Sequence, residues 1–147
     1  SYTSKGEIWT VSLKANDGDS YSNTAVNASF SIANSLPSIV IDTIPDNLSF
    51  ANNDLIGLEI NPQYVDADDD SIESSIQWLR NGFQEGSLDN STLVPAELFG
   101  AGQSWTLTIS YHDNDGPVQQ FSKSIEVDNL PHQQTSKLFP QIFGAER

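Results

Sequence analysis

The chain is expected to be all-β, built as a two-layer sandwich of short strands. Three observations carry that reading. Apolar residues recur with period two rather than with helical spacing. Turn-forming clusters such as Asn16-Asp17-Gly18-Asp19, Asn81-Gly82 and Asn114-Asp115-Gly116 punctuate those alternating runs. A tryptophan, two turns and a proline recur in the same order near both ends of the chain.

The first strand is expected at 7–14, where Trp9, Val11 and Leu13 share one face. A second follows at about 25–33, with Val26, Phe30 and Ile32 as its apolar set, and Asn34-Ser35-Leu36-Pro37 ends the pattern. Near the other end, Gly102-Gln103-Ser104-Trp105-Thr106-Leu107-Thr108-Ile109 repeats Gly6-Glu7-Ile8-Trp9-Thr10-Val11-Ser12-Leu13 position for position. Asn114-Asp115-Gly116 answers Asn16-Asp17-Gly18, and Asp128-Asn129-Leu130-Pro131 answers Asn34-Ser35-Leu36-Pro37. Loop lengths drift by a few residues around a period of roughly 100, the size of a seven-stranded sandwich.

The repeat sets the expected domains. Residues 37–131 make one complete unit, and residues 1–36 read as the last two strands of a similar, incomplete one. Two strands alone bury too little to be stable by themselves, so the missing strands are expected upstream in a longer protein or from another chain by strand addition. Within the complete unit seven strands in Greek-key order are expected, the immunoglobulin-like arrangement. They fall at 38–44, 54–60, 71–80 with Ile72, Ile76 and Trp78 inward, a short strand near Phe83, 91–94, 104–111 with Trp105, Leu107, Ile109 and Tyr111 inward, and 118–127. Residues 95–99 are expected to form one helical turn. Residues 132–147 lack the alternation and read as a tail or docking segment, with Leu138, Phe139, Ile142 and Phe143 grouped around Pro140.

Asp66-Ala67-Asp68-Asp69-Asp70 leading into Gln77-Trp78-Leu79-Arg80-Asn81-Gly82, followed by the Gly102 to Gly116 segment and the Asp128 to Pro131 ending, resembles tandem immunoglobulin-like repeats. These are akin to the PKD and cadherin-like modules of large secreted bacterial and archaeal surface proteins. The resemblance covers 37–131 and, through the partial copy, 5–37. It implies an extracellular, cell-surface setting and a spacer, stalk, filament or adhesion role. Asp69 stands where that family usually has glycine, which puts the loop's usual geometry in question.

Twenty acidic against six basic residues give a formal charge of -14, which argues against nucleic acid and against insertion at an anionic membrane. No apolar run approaches the ~18 residues that span a bilayer. The chain has no cysteine, so a disulfide framework and a thiolate metal site are both excluded.

Four aspartates within five residues repel unless something positive sits among them. In a sandwich of this type the loop after the second strand and the loop after the sixth lie at one end. Asp66, Asp68 and Asp70 are therefore expected near Asp113 and Asp115, at the junction with the preceding unit, with Glu7 and Asn34 as further junction ligands. Hard oxygen donors in that number suit Ca²⁺.

A bound Ca²⁺ would stiffen the joint. The expected partners are neighbouring immunoglobulin-like domains of the same or another chain, including a homopolymer built by strand complementation.

Catalysis is not expected. His112 beside Asp113 has no accompanying nucleophile, and the carboxylates sit in turn chemistry. A carbohydrate-binding accessory role would need a row of exposed aromatics. Trp9, Trp78 and Trp105 are all expected in the core, leaving only Tyr21 and Tyr64 in loops. Sequons at Asn27, Asn47 and Asn90 permit glycosylation.

Overall fold

The computed structural model describes residues 2–49 and 57–128, and within them the chain is all-β. No helix among the described residues is long and apolar enough to cross a membrane. The parts of the expected 54–60 strand before Gly57, the Asn129-Leu130-Pro131 end of the repeat and the 132–147 segment lie outside the described residues.

The chain opens with a hairpin, β1 (Ile8–Leu13) and β2 (Val26–Ser31), in antiparallel register from Ile8↔Ser31 to Leu13↔Val26. Alternation makes its two faces unlike. Trp9, Val11 and Leu13 stand opposite Phe30, Ala28 and Val26, while the other face carries Thr10 hydrogen-bonded to Ser29 at 2.8 Å and Ser12 donating to Asn27.

β3 (Ser38–Val40) pairs with β6 (Gln63–Val65), and β5 (Gly57–Glu59) pairs with β9 (Leu93–Pro95). The larger sheet runs β4 (Asn47–Leu48), β11 (Gln119–Val127), β10 (Ser104–His112), β7 (Glu73–Arg80) and β8 (Phe83–Gln84). One apolar cluster joins the short pairs to the large sheet. Leu58, Ile60 and Val94 meet Trp78, Trp105, Leu107, Ile109 and Ile125.

Two expected elements differ in detail. The strand expected over 38–44 stops at Val40, and the chain then crosses to the other sheet, where Asn47 and Leu48 run parallel to β11. Pro45, which has no N–H to give a ladder, lies within that crossing. Residues 63–65, read as loop, form β6, so Tyr64 is no loop aromatic. Its ring packs against Tyr111 with centroids 5.7 Å apart. The other elements fall close to expectation, including a 3-10 turn at Ala96–Leu98 and a two-residue β7–β8 turn. In that turn Asn81 and Gly82 both have positive φ, 51° and 83°, as a type I′ turn requires.

Trp78 and Trp105 are fully buried, as expected. Trp9 is not, and is 43% exposed. The pattern that marks a core-facing strand is present in β1, but no described layer covers that face.

The hairpin is nonetheless a geometric copy of β10–β11, down to its entry turn. The Gly6 N–H donates to the Ile32 carbonyl at 2.9 Å, and the Ile32 N–H returns to the Glu7 carbonyl at 2.8 Å. Gly102, Val127 and Gln103 make the same two bonds at 2.9 and 2.8 Å. Gly6 and Gly102 take φ of 81° and 76°. Both indoles are held alike, Trp9 Nε1 donating to Glu7 Oε2 and Trp105 Nε1 to Gln103 Oε1, each at 3.0 Å.

Candidate functional site

The two acidic loops meet the linker that leaves the hairpin. The Asp66 side chain folds its own loop, Oδ1 accepting the N–H of Asp68 at 2.7 Å and of Asp70 at 3.3 Å. Such self-bonding is why Asp is favoured in tight loops. Asp69 has φ 61°, in the left-handed region that Asp tolerates better than most residues, so the turn forms without glycine.

Asp113, at the end of β10, is 5% exposed. Its Oδ1 accepts the Asp115 N–H at 3.0 Å and its Oδ2 accepts Asn34 Nδ2–H at 2.7 Å. The Asn34 amide, followed by backbone N–H groups of its own turn, holds this carboxyl below its usual range.

Of the five aspartates expected at the junction, three converge. Asp66, Asp70 and Asp113 each place a carboxylate oxygen within 4.8 Å of the others. The remaining two are engaged nearby. Asp68 Oδ2 accepts the Ser35 N–H at 2.7 Å, and Asp115 pairs with Lys5. Of the two further junction residues, Asn34 is in place. Glu7 is held within its own hairpin, where the Trp9 indole and then the Ser4 N–H keep its carboxyl below the usual range.

Lys5 is the residue that sequence reasoning missed. Its ammonium bridges Asp70, at 2.5 Å, and Asp115, so it ties the entry turn of the hairpin to both acidic loops. Those two hydrogen bonds, to Asp115 first, raise its pKa above the ordinary 10.5. The signal was available, since the repeat places Lys5 in a turn at the junction end, and the charge argument asked for a cation there.

Packing adds to these polar ties. A Cβ on Gly116 would sit 2.5 Å from Leu36 Cδ2, so the Leu36 side chain lies directly on this glycine and would have to turn aside for a larger residue.

Among the described residues, Lys5 is the one ammonium bonded to the two loops, which carry six carboxylates, Asp66, Asp68, Asp69, Asp70, Asp113 and Asp115. Asp66 Oδ2 and Asn34 Oδ1 are buried and have no hydrogen-bond donor among the described residues. Unpaired buried oxygens are costly. One on a member of the three converging carboxylates and one on the amide bonded to another fit a hard divalent cation, whose ligand oxygens lie up to roughly 5 Å apart across its coordination sphere.

His112 takes part in turn structure instead. Its Nδ1 accepts the Asn114 N–H at 3.3 Å, while Nε2 lies 3.9 Å from Glu73.

No protein family model, curated protein or solved structure matches this chain.

Proposed function

We propose that this chain is a non-catalytic structural module of a secreted or cell-surface protein, a spacer, stalk or filament element made of immunoglobulin-like repeats, in which the acidic loops form the joint between successive units. The observation that carries this reading is the set of ties from Lys5, Asn34 and Ser35 on the hairpin side to Asp70, Asp115, Asp113 and Asp68 on the sandwich side. The copied hairpin supports two units of one repeat, and the pairing of β10 with β7 and β11 supports a Greek-key sandwich.

Within this reading, Asp66, Asp70 and Asp113 would hold a Ca²⁺ ion, with Asn34 Oδ1 as a further donor. When bound, the ion supplies fixed positive charge to loops that Lys5 alone leaves strongly negative. The joint is then tied on both sides and holds neighbouring units at one angle.

Calorimetric titration and thermal melting with Ca²⁺ or chelator test this. At about 100-fold excess over Kd, binding adds about 2.7 kcal/mol, which raises Tm by roughly 5–10 °C for a chain of this size. Asp66→Asn is expected to abolish the shift while retaining the fold. A melting curve indifferent to both treatments removes calcium from the reading.

A further inference from the structure

The hairpin face bearing Trp9, Val11, Leu13, Val26, Ala28 and Phe30 is exposed, and no described residue covers it. The chain contains its own measure of what such a face requires. Trp9 and Val11 are 43% and 58% exposed, whereas their counterparts Trp105 and Leu107 are both at 0%. The counterparts lie in a core that β5 and β9 enter through Leu58 and Val94, with Ile60 just beyond β5, and against which β3 and β6 pack Ile39 and Tyr64; β10 also has β7 along its outer edge. The corresponding edge of β1 has no partner among the described residues.

We infer that this face is the seat of a β-layer equivalent to β3, β5, β6 and β9, carried by the same polypeptide directly ahead of the entry turn. The entry turn argues for covalent continuity. Ser4 N–H and Trp9 Nε1–H converge on Glu7 as Gly100 N–H and Trp105 Nε1–H converge on Gln103, so the chain enters β1 along the same path by which it leaves that layer to enter β10.

A second intact copy fits less well, because its own layer already sits on its own β10–β11. Two hairpins face to face would meet over a patch of roughly 20 by 10 Å, far short of the ~800 Å² per partner of a stable dimer. The occupant must also bring a strand like β7 to the β1 edge, pairing as Trp78 does with Leu107.

The test is a fusion in which residues 37–99 precede Ser4 of the otherwise complete chain, read by hydrogen exchange of residues 8–13. Exchange there is expected to slow ~100-fold or more, towards that of residues 104–109. A second fusion carrying Val26→Phe and Ala28→Lys, matched to Phe121 and Lys123, covers failure of the first through mismatched packing. Fast exchange of 8–13 in both fusions overturns the inference.

So does slow exchange in the unextended chain. If it appears only with a concentration-dependent dimer in sedimentation, a second copy is the occupant. If it appears in the monomer and is lost on deleting 132–147, the chain's own tail is. Calcium binding at the joint is read separately, through Asp66→Asn, so either reading can fail alone.

Discussion

At the scale of single residues, Asn34 decides how much negative charge the meeting point of the two acidic loops tolerates. Its amide donates to a buried carboxylate and leaves its own oxygen without a donor. Asn34→Asp replaces that donor with a like charge, and an unpaired buried charge there is expected to cost ~1–3 kcal/mol. Melting in chelator should show the loss, and added Ca²⁺ should restore most of it. A deficit indifferent to Ca²⁺ would separate Asn34 from any cation.

Asp113 and Lys5, on either side of this contact, also titrate oppositely. The Asp113 carboxyl is held below its ordinary 3.8, so its contribution is complete above that value and is lost as pH falls through the lowered value. The Lys5 ammonium is held above 10.5, so its contribution is complete below that value and is lost only at still higher pH. Stability measured across pH should therefore form a plateau from about 4 to 10, with an acid limb that Asn34→Leu shifts upward.

The sequons at Asn47 and Asn90 fall in folded structure. Asn90, at φ 61°, accepts the Ile76 N–H at 3.0 Å, so replacing it would disturb a turn as well as a sequon.

At the scale of elements, β1 and β10 have near-identical patterns and opposite environments. Trp105 packs edge-on against Phe99 at 5.1 Å, lies under the Arg80 guanidinium at 5.6 Å and is shut off from solvent. Trp105→Ala is expected to cost about 3–5 kcal/mol, the range for a buried aromatic. Trp9→Ala in the same chain should cost under about 1 kcal/mol, since its face is uncovered. Denaturant unfolding of both variants measures the difference, and equal losses would mean that the hairpin is packed in solution.

The β7–β8 turn was legible because Asn-Gly satisfies two positive φ angles locally. The β3-to-β4 crossing was not, because changing sheets depends on partners distant in sequence. Strand β6 was missed for a related reason. Gln63-Tyr64-Val65 is too short to show alternation, and its pairing with Ser38–Val40 is a long-range choice.

At the scale of the whole molecule, twenty acidic and six basic residues make self-repulsion a general term. The described cation pairs, Lys5 with Asp70 and Asp115, Arg80 with Glu85 and Lys123 with Asp46, are all partly exposed and individually small in effect. Raising NaCl from ~20 to ~300 mM shortens the screening length from about 20 to under 8 Å and should raise Tm by a few degrees. A fall in Tm would mean that the local pairs outweigh the net charge.

What the sequence determined by itself was local and periodic: the all-β class, the inward set of β10, the glycine-bearing turns and the likeness of the two hairpins. Each follows from steric and solvation preferences acting over a few residues. Only the tertiary structure decided which of the clustered aspartates converge, that Lys5 supplies the cation between them, and that Trp9 stands uncovered while Trp105 is buried. Charge pairing and burial depend on which distant surfaces the folded chain brings together, and alternation alone specifies a face without specifying what lies against it.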